Sequence, residues 1–170
     1  MSNTKETERA ELHKTIWRIA NDLRGSVDGW DFKQYVLGML FYRYISENLT
    51  VYINRGEHEA GNQDFDYADL MDSEAEEARA DLVHTRGFFM LPSELFENVR
   101  KKAVGDDNLN ETLERAFRNI ESSAQGAPSE DDFKGLFDDI DVNSNKLGAT
   151  VAKRNEKLLK LMNGVGEMKL

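Results

Sequence analysis

The sequence predicts an all-α fold, a compact multi-helix bundle, from three observations. Apolar residues recur at spacings of three and four along much of the chain. Capping residues and both prolines, Pro92 and Pro128, stand where those periodic stretches begin. Charged residues make up 32% of the chain against 39% hydrophobic, a balance that suits helices with long solvated faces. At 170 residues the chain fits one domain able to bury a sizeable core.

The first helix is expected from about Glu6 to Leu23, where Leu12, Ile16, Ile19, Ala20 and Leu23 share a face. A Gly-containing break follows, and Asp28 is placed to cap the second helix, with Asp31 near its positive end. That second helix, roughly Gly29 to Asn54, reads YVLGMLFYRYI between Tyr35 and Ile45. It is apolar on every side except at Arg43, so it is expected to be buried all round as a central core helix, or covered in part by a partner. Gly38 costs about 1 kcal/mol of helix stability relative to Ala, which suggests that a neighbouring helix approaches closely there.

Residues 56–72 read as an acidic loop or lid, and Ser73 with Glu76 as a capping box opening a helix to Val83 or His84. The apolar run Gly87 to Leu91 leaves room for one short β-hairpin near residues 85–91, ahead of a helix starting at Pro92. Asn108 or Asn110 caps a helix carrying Leu113, Phe117 and Ile120, and Ser129 starts a short one bearing Phe133, Leu136 and Phe137. The last helix is expected from Leu147 to Met162, stopped by Gly164.

The net charge of −10 is uneven. Residues 1–55 hold eight basic against seven acidic side chains, residues 56–81 one against ten, and residues 82–170 thirteen against fifteen. An acidic chain is repelled by phosphate backbones at long range, yet the near-neutral flanks leave room for a local DNA-facing surface. The absence of cysteine excludes disulfides and thiolate chemistry. The N-terminus lacks a signal-type apolar core, and the apolar run Tyr35 to Tyr42 is too short to span a bilayer. A cytoplasmic location without membrane contact is expected.

Motifs for chemistry are weak. His13, His58 and His84 are far apart and read as one solvated histidine per element. The stretch Asp139 to Asn145 copies the first ligands of an EF-hand, but Ser144 stands where the turn glycine belongs and Thr150 where the bidentate Glu belongs. It is read as a polar turn and helix cap, with a calcium-dependent regulator as the weakest alternative. The acid pairs Asp106-Asp107, Asp131-Asp132 and Asp138-Asp139 lie at helix starts in polar surroundings that would not raise a carboxyl pKa. Gly164 and Gly166 follow a helix rather than a strand, unlike a nucleotide-binding turn. No catalytic, cofactor or metal residues are therefore assigned. One basic cluster remains: Lys146, Lys153, Arg154, Lys157 and Lys160, of which Lys153, Lys157 and Lys160 share a helical face. It reads as a solvated face or as a contact for phosphate or an acidic partner.

Three separated blocks carry a family resemblance. They are the Leu-Arg-Gly turn with Gly29-Trp30-Asp31-Phe32-Lys33 and Tyr35 to Arg43; then Gly87-Phe88-Phe89 with Leu91-Pro92-Ser93 and Leu95-Phe96; then Leu147-Gly148, Thr150 and Arg154-Asn155. In this order they resemble the N-terminal domain of the modification subunit, HsdM, of type I restriction–modification systems. The resemblance implies an adenine N6-methyltransferase that uses S-adenosylmethionine, with a helical N-terminal domain ahead of a Rossmann-like catalytic domain. The isolated Pro92 and Pro128 do not form the family's Asn-Pro-Pro-Tyr/Phe motif. Residues 1–170 are thus expected to be a single helical domain with the catalytic domain following residue 170. The implied partners are a specificity subunit, a second modification subunit, a restriction subunit and double-stranded DNA. Contact candidates are Lys146, Lys153, Arg154, Lys157, Lys160, Arg43 and Trp30. The alternative from another class is a free-standing cytoplasmic protein-interaction adaptor.

Overall fold

The computed structural model describes residues 2–22 and 29–169, with side chains at 4–11, 13, 14, 17, 18 and from 32 onward. Its helices are α1 (Ser2–Asp22), α2 (Gly29–Glu59), α3 (Asp72–Ala75), α4 (Arg79–Arg86), α5 (Phe96–Ala103), α6 (Leu109–Ser123), α7 (Glu130–Phe133) and α8 (Val151–Glu167). No strand occurs among the described residues, so the bundle is all-α and the hairpin near 85–91 does not form. The expected first-helix face (Leu12, Ile16, Ile19, Ala20, Leu23), the cap Asp28 and its neighbour Asp31 lie outside the described residues or side chains.

Helix α8 organises the bundle, packing against α1, α2, α5 and α6. It begins at Val151 rather than Leu147, because Thr150 is its N-cap and accepts a hydrogen bond from the Lys153 N–H. Leu147 is buried just before it. Arg154 folds back to donate to the Gly148 carbonyl at 2.9 Å and to Asn145 Oδ1 at 2.6 Å, fastening the preceding turn to the helix. Buried Asn155 closes the start of α6: its Oδ1 accepts from the Asn110 N–H, and its Nδ2 donates to the Asp107 carbonyl. Truncation strands two backbone groups away from water. Asn155→Ala is therefore expected to cost about 2–3 kcal/mol, read as a lower urea midpoint. Lys153→Ala, on an exposed position nearby, should stay within about 0.5 kcal/mol.

The far end of α8 also differs from expectation. Gly164 does not stop it; the helix runs on to Glu167, with Gly164 buried and Gly166 lying under the Arg100 guanidinium of α5. The end is held from α2, where Arg43 donates to the carbonyls of Val165 (2.7 Å) and Met168 (2.6 Å). A cation on the last carbonyls opposes the negative end of the helix dipole. Helix α1 is pinned to the same end by the ion pairs Arg18–Glu167 and Lys169–Glu11.

Helix α2 is one-sided, not buried all round. It buries Tyr35, Val36, Met39, Tyr42, Ile45 and Leu49 in the core. Tyr42 is wholly inaccessible, meets Phe96, Phe117 and Phe137 edge-on, and donates its hydroxyl to the Glu94 carbonyl. Buried Ser46 accepts from the Phe96 N–H, tying α2 to the start of α5. Gly38 does permit a close approach, but the neighbour is Ile140, in the connector before α8, not a helix. Tyr35 reaches the same connector by donating to the Asp141 carbonyl.

The middle of the chain is tied down by side chains reaching across it. The expected capping box is absent: α3 starts after Met71, Ser73 lies inside it, and Asp72 accepts instead from the N–H and hydroxyl of Ser93. Helix α4 ends at Gly87, whose φ of 88° is a left-handed conformation that glycine adopts without strain. The Ser129 hydroxyl donates to the Gly87 carbonyl, so Ser129 starts α7 without capping it through its side chain. Residues 88–90 then pass through the core. His58 is not simply solvated; its Nε2 pairs with the Phe65 carbonyl at 2.8 Å.

Candidate interaction surfaces

The residues of the three sequence blocks serve chiefly as internal fasteners. Tyr35, Gly38 and Arg43 hold α2 to the connector and to α8. Phe88, Phe89, Pro92, Leu95 and Phe96 are core, and the Phe89 N–H is satisfied by Ser123. Thr150, Arg154 and Asn155 close the start of α8 and of α6. A family model described as the HsdM N-terminal domain matches residues 12–165. The chain belongs to this family.

Two relatives agree with this. The HsdM N-terminal domain described here is 44% identical over 177 aligned positions to the type I restriction enzyme MpnII methylase subunit of Mycoplasma pneumoniae, covering 100% of this chain and 32% of that one. It superposes, with a TM-score of 0.74 and 26% identity, on the type I restriction–modification system methyltransferase subunit from Streptococcus thermophilus, covering 94% of this chain and 34% of that one. The chain thus spans about a third of the length of both relatives.

The surface of this HsdM N-terminal domain offers three features to other molecules. The first is cationic and lies along the start of α8. Lys153 is exposed, Lys157 is half-buried beside it, and Lys160 pairs with Glu156 at 3.5 Å. Lys146 stands exposed on the turn that Arg154 fastens. Of the candidates named from sequence, Arg154 and Arg43 thus have their guanidinium groups on backbone carbonyls of the domain itself. The side chain of Trp30 lies outside the described residues.

The second feature is apolar and was not legible as a surface. Along α2, Leu37 (49% exposed), Phe41, Tyr44 (58%) and Val51 (52%) follow one another at steps of three, four and seven on a single exposed face. Phe41 leans on Tyr44 and on Phe137 of the core. A continuous apolar stripe of this kind marks a contact surface more than scattered apolar residues do.

The third feature is an acidic-walled cavity of about 660 Å³ between the C-terminal half of α2 and the 65–82 segment. Arg79, next in sequence to the lining residue Ala78, is occupied twice over. It is bound by both oxygens of Glu76 at 2.7 Å, which holds that carboxyl below its usual range, and it lies over the Phe89 ring. Behind it Glu94 is pushed above its ordinary pKa by burial, although Asn119 donates to both its oxygens. No group of three metal-ligating side chains converges among the described residues. No helix among them is long and apolar enough to cross a membrane.

The methyl donor implied by the family has no cradle in these residues. Such a cradle needs a glycine-rich turn between a strand and a helix, with backbone N–H groups free to meet the ligand. Gly164 and Gly166 instead lie inside α8 against other side chains, and no strand precedes them among the described residues.

Proposed function

We propose that this chain is the N-terminal helical module of a DNA adenine N6-methyltransferase subunit of a type I restriction–modification system. It aids subunit assembly and closure around DNA, and the fragment carries no catalysis of its own. The observation that carries this reading is the division of labour just described. Block residues throughout the fold are engaged in internal packing, while a lysine-bearing face and an apolar stripe remain at the surface.

Extruding a base from the duplex costs a few kcal/mol in lost stacking, which protein contacts around the DNA must offset. Lys146, Lys153, Lys157 and Lys160 suit phosphate contacts, which position a duplex without reading its sequence. Arg154 acts on the same surface indirectly by fixing the turn that presents Lys146. The apolar stripe of α2 suits a protein neighbour: the specificity subunit, the second modification subunit or the restriction subunit. Double-stranded DNA completes the assembly, in the cytoplasm. S-adenosylmethionine belongs to the parent enzyme, at residues outside this chain.

Titration calorimetry of S-adenosylmethionine into the 170-residue chain tests the division. No saturable heat is expected. Tight stoichiometric binding would overturn it.

A further inference from the structure

The acidic segment has a structure suited to more than solubility. Around the cavity between α2 and α4 stand Glu57, Glu59, Glu74, Glu77 and Asp81, with Arg55 as the one basic residue of the lining. The carboxylates of Glu59, Glu74, Glu77 and Asp81 have no ion pair or hydrogen bond among the described residues. Arg79 and Arg86, which would otherwise neutralise them, lie over the rings of Phe89 and Tyr52 respectively. Inside the acidic wall the lining is apolar: Tyr52 is exposed, and Ile53, Phe65 and Leu70 are half-buried.

This arrangement discriminates among ligands. Phosphate backbones are repelled by it. The carboxylates stand around the wall without converging as a metal site requires. A free polyamine would satisfy the charge and leave the apolar lining in water. A polypeptide carrying both cations and a large apolar side chain satisfies both parts, and its cations are also drawn in at long range by the field of the acidic segment.

We propose that this cavity docks a basic segment of a partner protein. That segment inserts one large apolar side chain among Tyr52, Phe65 and Leu70 and sets Lys or Arg against Glu74, Glu77 and Asp81. The inference rests on the assembly reading only in taking the partner to be a protein. The lysine face of α8 plays no part in it, so the two can fail separately.

The test is selection of a phage-displayed random-peptide library on the 170-residue chain, followed by anisotropy titration of the enriched peptides as synthetic, labelled probes. Enriched peptides should combine Lys or Arg with Leu, Met or an aromatic residue. Their affinity should fall about tenfold or more in Glu74→Gln/Glu77→Gln/Asp81→Asn and clearly in Tyr52→Ser. It should be unchanged in Glu111→Gln/Asp131→Asn/Asp132→Asn, which removes the same charge from exposed positions elsewhere. Each of these substitutions is at an exposed position, so folding is preserved. Failure to enrich basic, apolar-anchored peptides overturns the proposal. So does equal weakening by the distant acid variant, or indifference to Tyr52→Ser. Retention of peptide binding in Lys146→Gln/Lys153→Gln/Lys157→Gln keeps this result distinct from the DNA reading.

Discussion

Replacing Tyr42 with alanine should remove about 3–5 kcal/mol of stability, enough to unfold much of a marginally stable population. The ring is wholly buried, touches three phenylalanines edge-on, and joins α2 to α5, α6 and the connector that carries Phe137. Truncation leaves a cavity that four separate segments would have to close, so little relaxation is available. Tyr42→Phe separates the two parts of the loss. It keeps the aromatic packing and removes only the bond to the Glu94 carbonyl, so it should cost about 1 kcal/mol. Urea denaturation of both variants checks this. A Tyr42→Ala midpoint close to that of the parent would contradict the packing described.

Arg43→Ala is the second large effect, expected at about 2–4 kcal/mol in the isolated chain with no partner present. The guanidinium is only 12% exposed and donates to two carbonyls at the end of α8, the helix on which four others pack. Its ion pair with Glu47 adds little, because Glu47 is largely in solvent. Arg43→Lys should recover only part of the loss, since an ammonium cannot reproduce the planar fork across both carbonyls. Hydrogen exchange should show the last turn of α8 opening first. If Arg43 were instead a partner contact, the isolated chain would keep its stability and only assembly would suffer.

The legibility of this domain follows the range of the interactions. Helix α6 was readable because Leu113, Phe117 and Ile120 repeat locally, and so was the start at Pro92. The role of Arg43 was not, because its acceptors lie 122 and 125 residues further along the chain. The same holds for Asn155, which caps a helix that starts 46 residues before it. Asp72 is used by Ser93, a partner no local pattern indicates, and the capping box at Ser73 is bypassed. The run YVLGMLFYRYI looked buried because composition cannot say on how many sides neighbours pack. Here they cover one side, which turns the same residues into a core face and an exposed stripe. The lysines of α8 were legible as a cluster; that the arginines beside and opposite them are spent on backbone carbonyls was not.

Lys146, Lys153 and Lys157 are the side chains through which this domain is proposed to meet DNA. The direct measurement is the salt dependence of DNA affinity for the assembled modification enzyme carrying Lys146→Gln/Lys153→Gln/Lys157→Gln. Removing one phosphate contact should flatten the slope of log affinity on log salt by about 0.9, weakening binding evenly across sequences, with S-adenosylmethionine affinity unchanged. An unaltered slope and unaltered affinity would contradict a DNA-facing role for α8.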